Sequence, residues 1–166
     1  MIKKAIDSYP GGICFSALDG RVILVNEKMN KLALELTGHT ILNAKAAWDE
    51  LAHFANNGKA EKLDQSWLPK EPDNENGGTH QQLFFRFSDG SVWRFELRFL
   101  DSNTVQVEAA EITELYRLSE ELYENTIRLQ EIQKRQKALL DSIVEINLNK
   151  EILAAKMHIH DELGHC

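Results

Sequence analysis

Cysteine is nearly absent from the 166 residues: only Cys14 and Cys166 occur, near opposite ends and without CxxC spacing. That excludes the even-numbered disulfide framework of secreted mini-domains and implies a reducing, cytoplasmic compartment. Long apolar runs are absent too, none approaching the roughly 18 to 20 residues that a membrane-spanning helix needs. The N-terminus, Met1-Ile2-Lys3-Lys4, passes straight into polar sequence without a signal-peptide core. Positive charge is scarce, with 19 Lys and Arg against 26 Asp and Glu for a net charge of -7. An acidic surface opposes the counterion release that drives nucleic-acid binding, so neither DNA nor RNA is expected as a partner. What remains is ordinary globular composition, 43% hydrophobic and 27% charged, enough for one domain with one long appendage.

Glycine and proline are missing from one half only. All three prolines and eight of the nine glycines fall at or before Gly90, and Ser91 to Leu163 contains neither. The second half is therefore expected to consist of long uninterrupted elements.

In the first half, Ile13 to Ala17 and Arg21 to Asn26 flank Leu18-Asp19-Gly20 and read as a hairpin, because Asp-Gly accepts the positive backbone angles of a tight turn. Asn26 is placed to cap a helix over Glu27 to Leu36, where Met29, Leu32, Ala33 and Leu36 recur at three- and four-residue spacing and Gly38 stands at the stop. Ala47, Trp48, Leu51 and Phe54 share one face of a second helix over Ala44 to Ala55. The polar stretch Lys70 to Thr79 reads as an exposed loop. Gln82 to Phe87, the turn Ser88-Asp89-Gly90-Ser91, and Val92 to Phe99 give the strongest hairpin pattern, and Thr104 to Ala109 adds a fifth strand. Two strands, then helices, then three strands predict an α+β fold: a five-stranded antiparallel sheet with helices on one side.

This order resembles a PAS domain. The resemblance rests on the glycine-led strand Gly12-Ile13-Cys14-Phe15, the second strand ending in Val25-Asn26 before a helix, the three-strand finish, and the exit Glu111-Ile112-Thr113. That triplet is similar to the Asp-Ile-Thr element by which such domains pass into a signalling helix, with Glu in place of Asp.

Beyond it, steps of three and four from Leu115 reach Leu118, Leu122, Asn125, Leu129, Ile132, Gln136, Leu139, Ile143, Ile146, Lys150, Leu153, Met157 and His160. Ten of these fourteen positions are aliphatic or Met. A 3.5-residue period sustained so far predicts a long parallel coiled coil, hence a homodimer through residues 112–160, with Asn125, Gln136 and Lys150 as polar seam positions that set register. Near the end a second stripe, Leu148, Ile152, Ala155, Ile159 and Leu163, turns His160 toward solvent if the helix changes phase after Ile146.

His160-Asp161-Glu162-Leu163-Gly164 on a helix after a coiled coil resembles the phosphoacceptor box of bacterial sensor histidine kinases. An imidazole nitrogen is nucleophilic near neutral pH, and its phosphoramidate can pass phosphate to an aspartate. The resemblance implies His160 as phosphoacceptor and Asp161 as the carboxylate that orients the imidazole and takes its proton. His165 stands where the family usually has Gln, and shares a helix face with Asp161. Gly164 would cost about 1 kcal/mol against alanine inside a helix, which suits a bare face for docking.

Three segments follow: a PAS-like sensor over residues 1–111, a signalling coiled coil over 112–150, and the start of the phosphoacceptor helix over 151–166. The resemblance implies the sensory and dimerisation part of a two-component signal-transduction kinase, a phosphoprotein whose partners are a response regulator and an ATP-binding domain elsewhere in the full-length protein. ATP and magnesium belong to that domain, so this piece is expected to be inactive alone, and proteins of this layout are often anchored by membrane segments upstream. Two other readings stand beside it: a non-enzymatic PAS coiled-coil interaction module, and a metal-sensing dimer using His158, Asp161 and His165. Trp48, Trp67, Trp93, Phe84, Phe85 and Phe87 read as core rather than cavity lining, and His53 and Cys14 lack the surroundings of a haem ligand or a flavin-reactive thiol. No cofactor and no metal are assigned to this fragment.

Overall fold

The computed structural model describes residues 2–64 and 80–164. They form α1 (Ile2–Asp7), β1 (Gly12–Ala17), β2 (Val22–Val25), α2 (Glu27–Thr37), α3 (Ala44–Ala52), β3 (Ala60–Lys62), β4 (Gln81–Phe87), β5 (Val92–Phe99), β6 (Thr104–Glu111) and α4 (Thr113–Gly164). Two compact units result, Met1–Ser119 and Glu120–Cys166. Among the described residues no helix is long and apolar enough to cross a membrane.

The fold is α+β as the pattern implied, but the antiparallel sheet has six strands, not five, in the order β2-β1-β6-β5-β4-β3. The added strand, β3, is three residues long and holds only by edge pairing, Ala60 opposite Phe87 and Lys62 opposite Phe85. Its sequence, Ala-Glu-Lys, has no β preference of its own, so only the neighbouring strand makes it one. α1 was also not foreseen; it buries none of its residues. The Lys70 to Thr79 loop and Trp67 lie outside the described residues.

Turn and cap chemistry place α2 and α3. Gly20 has φ +89°, and a Cβ there would sit 2.1 Å from Asn43 Oδ1, so only glycine fits the turn between β1 and β2. Asn43 in turn caps α3 by accepting from Ala46 N at 2.9 Å and donates to Asp19 O at 3.1 Å. Asn26, fully buried, makes four hydrogen bonds. Its Oδ1 accepts from Met29 N at 2.9 Å and Ile13 N at 3.0 Å, and its Nδ2 donates to Gly11 O at 2.9 Å and Ile6 O at 3.1 Å. Gly38 ends α2 in the left-handed conformation, φ 83°, with its N–H on Leu34 O.

Strand alternation gives the sheet two different faces. On one, Cys14, Phe85, Trp93, Phe95, Val107 and Ala109 pack under Met29, Leu32 and Leu36 of α2 and Trp48 and Leu51 of α3. Phe85 sits at its centre, edge-on to Phe95 and Phe54 at centroid distances of 5.4 and 5.3 Å. On the other face a smaller cluster joins Leu63, Phe84, Val92, Ile112 and Tyr116. Beside it lies Glu96, 2% exposed, with Arg98 Nε at 2.7 Å, His80 Nδ1 at 3.1 Å and Arg94 Nε at 3.9 Å. Burial alone would raise the Glu96 carboxyl, but hydrogen bonds from Arg98 and His80 and the charges of Arg98 and Arg94 outweigh it and hold it below the usual carboxylate range.

Two measurements check this account. Asn26→Ala removes one cap and leaves buried donors and acceptors without partners, so it should lower unfolding stability by about 3 kcal/mol in urea melts; a loss under about 1 kcal/mol would show that water replaces the network. For Glu96, a folded-state pKa below the unfolded one means its contribution is present above the unfolded carboxylate pKa and fades as pH falls through the folded value. Glu96→Gln should therefore be less stable than the parent at pH 7 by about 2 kcal/mol, and the two curves should converge in acid; parallel curves from pH 7 to pH 3 would contradict the assignment.

Candidate functional site

The chain leaves the sheet through an exit held at one residue of β5. Val92 O accepts from Ile112 N at 2.8 Å, and Val92 N donates to Thr113 Oγ1 at 3.0 Å. The same hydroxyl donates to Glu111 Oε1 at 3.0 Å, so its rotor is fixed from both sides. Glu111, standing where the Asp-Ile-Thr pattern has Asp, thus engages its own threonine. One turn on, Tyr116 is buried in the smaller cluster with its N–H on Ile112 O at 2.7 Å, and the Arg86 guanidinium lies 5.5 Å from its ring centroid. Arg86 also approaches Glu61 of β3 at 3.9 Å. The first turn of α4 is therefore part of the Met1–Ser119 unit. Sequence reasoning missed Tyr116 and Arg86; the available signal was an aromatic one residue off the heptad stripe, and an arginine pointing opposite to Phe85 and Phe87 in β4.

α4 runs without a break for 52 residues, on the order of 78 Å at 1.5 Å per residue. Its apolar heptad positions are solvent-exposed in the single chain, from 42% at Ile132 to 66% at Leu122. The second stripe is equally open, Leu148 at 55% and Leu163 at 70%. Asn125 Oδ1 accepts from Arg128 Nη1 at 3.4 Å, a contact along its own helix.

His160 and Asp161 both lie on the last turns of α4 with exposed side chains. Consecutive residues on a helix point about 100° apart, and these two do not hydrogen-bond each other. The pairing formed instead is His158 Nε2 with Glu162 Oε1 at 3.1 Å, four residues on. Glu162 was not singled out from sequence, although the His-x-x-x-Glu spacing was there to read. His165 and Cys166 lie outside the described residues, so the Asp161 and His165 face is not placed.

The remaining candidates are accounted for by the domain. His53 caps the end of α3 and bonds Asp49 O through Nδ1 at 2.9 Å. Cys14 is 1% exposed, and burial pushes its thiol up to about 11, so it stays protonated at neutral pH. Trp48, Trp93, Phe85 and Phe87 belong to the main core and Phe84 to the smaller cluster. The void left inside the main core is about 20 Å³, room for one water. Among the described residues no three His, Cys, Asp or Glu side chains cluster as metal ligands would.

No family model matches this chain, and no curated protein matches it. Among solved structures it is similar to the PAS domain of an HTR-like protein from Haloarcula marismortui, at a TM-score of 0.30 and 14% identity, over 67% of this chain and 88% of that one.

Proposed function

We propose that this chain is the sensory and dimerisation part of a two-component histidine kinase, in which a PAS-type input domain acts through a parallel coiled coil on phosphoacceptor His160. The observation that carries the reading is the continuity of α4, one helix that begins against β5 at Thr113 and ends in the box His160-Asp161-Glu162-Leu163-Gly164. A change in the sheet that moves Val92 must move Ile112 and Thr113 with it, because both backbone groups of Val92 are bonded to them. The helix then rotates or shifts at its root, and the polar seam residues let two packings lie within a few kcal/mol of one another.

At the far end, an imidazole nitrogen of His160 attacks the γ-phosphorus of ATP held by the catalytic domain of the longer protein. The P–N bond forms as the bond to ADP breaks, the ring proton passes to Asp161, and the phosphoryl group later moves to a response-regulator aspartate. His160 is exposed on α4, as an acceptor visited by two different partners must be. The stripe of Leu148, Ile152, Ala155, Ile159 and Leu163 supports a phase change after Ile146 that keeps it outside the seam.

Exposed apolar side chains repeated along such a helix need a partner, and heptad spacing fits a second copy. Sedimentation equilibrium at micromolar concentration should give about twice the 19.0 kDa chain mass, and Leu139→Lys should shift it to monomer. A parent chain that sediments as a monomer ends the coiled-coil reading. In the longer protein, label from γ-phosphate-labelled ATP should be acid-labile and base-stable, disappear in His160→Ala, and form about 100-fold more slowly in Asp161→Asn. Label that persists in His160→Ala refutes the acceptor assignment and leaves an interaction module as the better description.

A further inference from the structure

Three charges near the end of α4 stand five residues apart and alternate in sign: Glu151, Lys156 and Asp161. All three are exposed. Where this helix pairs charges along its own length it does so at three or four residues, as in Glu114 with Arg117 at 2.6 Å and His158 with Glu162 at 3.1 Å. Residues five apart lie about 140° from each other around the axis, so these three do not reach one another within one chain. Nor does any Lys, Arg, Asp or Glu stand three or four residues from Glu151, Lys156 or Asp161.

Five is instead the spacing that joins two chains. In a parallel two-stranded coiled coil, the residue just before the first apolar position of a heptad (g) faces the residue just after the second apolar position (e) of the partner's next heptad, five residues on. Two seams compete for the last turns. The heptad carried on unbroken through Leu153, Met157 and His160 makes Lys156 a g residue and Asp161 an e residue. Lys156 of each copy then faces Asp161 of the other, and His160 lies in the seam. The seam of Ile152, Ala155 and Ile159 makes Glu151 the g residue and Lys156 the e residue. Lys156 then faces Glu151 of the other copy, and His160 and Asp161 both lie outside. From Glu114 to Asn149 no g residue of the heptad has an opposite charge five residues on, so this exchange is confined to the turns around the histidine.

We propose that Lys156 is a positioning residue that selects between the two packings, pairing with Asp161 of the second copy in one and with Glu151 of the second copy in the other. The inference rests on the dimeric phosphoacceptor reading above and deepens it. With Lys156 on Asp161, the carboxylate is held and the acceptor imidazole is enclosed. With Lys156 on Glu151, both are released to solvent together. Each packing contains the same number of these ion pairs, so neither wins on charge alone, and the exchange carries Lys156 from one side of the seam to the other.

The test uses the whole chain with Cys166→Ser and one cysteine placed in the seam of either packing, Leu153→Cys for the unbroken heptad and Ala155→Cys for the other. Both sites are the second apolar position of their heptad, so disulfide yield under mild oxidation compares the packings directly. Glu151→Lys combined with Lys156→Glu keeps that pair and sets like charges against Asp161; it should raise the Ala155→Cys yield relative to Leu153→Cys about threefold. Lys156→Glu combined with Asp161→Lys does the reverse and should lower the ratio by a similar factor. Glu151→Gln should lower it about twofold. Circular dichroism checks the helix in each variant, and should an exchange fail that check, Glu151→Gln decides. In the longer protein, Glu151→Lys with Lys156→Glu should label His160 about threefold faster. A dimer whose cross-link ratio does not move, or labelling that does not follow the ratio, overturns the role of Lys156 and leaves the dimer standing. A chain that sediments as a monomer removes the dimeric reading and this inference together.

Discussion

One buried amide ties the N-terminal half together. Asn26 uses both lone pairs of its oxygen and both hydrogens of its nitrogen, and the four partners belong to four separate pieces of chain: the end of α1, the approach to β1, β1 itself, and the first turn of α2. No other side chain type could do this in the same volume. Aspartate would offer no donor to the Ile6 and Gly11 carbonyls, and leucine would leave all four backbone groups without partners inside the core. The constraint extends outward, because the orientation of α2 fixed by Met29 N determines which residues of that helix reach Cys14, Phe85 and Phe95. Main-core packing follows from the cap rather than the reverse, since apolar contact is non-directional and specifies no helix axis.

β5 is the strand on which both faces depend. Trp93 and Phe95 go to the main core, Val92 to the smaller cluster, and Arg94 and Glu96 to the ion network beside it. A strand whose alternate side chains are anchored in two packed clusters cannot slide by one residue, because a slip exchanges every side chain between the faces. Val92 stands at its end with both backbone groups given to the exit segment, so the position of this end of β5 sets that of Ile112 and Thr113.

The parts of this fold that could be read from sequence are those whose chemistry is local. Asp19-Gly20 and Asp89-Gly90 fixed two turns, Asn26 and Gly38 bounded α2, and alternation in Val92 to Phe99 assigned each side chain to its face. The misses are of the opposite kind. β3 exists because Phe85 and Phe87 are paired with it, a fact that Ala60-Glu61-Lys62 cannot encode. β6 runs on to Glu111 because Trp93 lies opposite, and α3 stops at Ala52, short of the Ala55 its periodicity allowed, because His53 turns its ring back onto Asp49 O. For the site, the helix, its stripe and the positions of His160 and Asp161 were legible, since they need only the 3.6-residue period. Tyr116 was not, because the heptad count absorbed the first turn of α4 into the rod and thereby hid the one aromatic that fastens it to the sheet.

The two apolar stripes of α4 pose a question of packing that the period alone answers in part. An undistorted helix turns 100° per residue, so a seam repeating every 3.5 residues drifts by about 20° per heptad and must supercoil to stay in contact. The stripe from Leu148 to Leu163 repeats as four, three, four and four, close to the eleven-residue spacing that drifts the other way. A helix that obeys the first rule up to Ile146 and the second beyond Leu148 cannot satisfy both with one continuous supercoil. In the proposed dimer the supercoil would change between them, at Asn147 to Lys150, where three of four residues are polar, while the α-helix itself stays continuous. On the proposed dimer, that change of packing lies between the exit at Thr113 and His160, so rotation of the last turns is the motion by which a disturbance at Thr113 would alter what His160 faces.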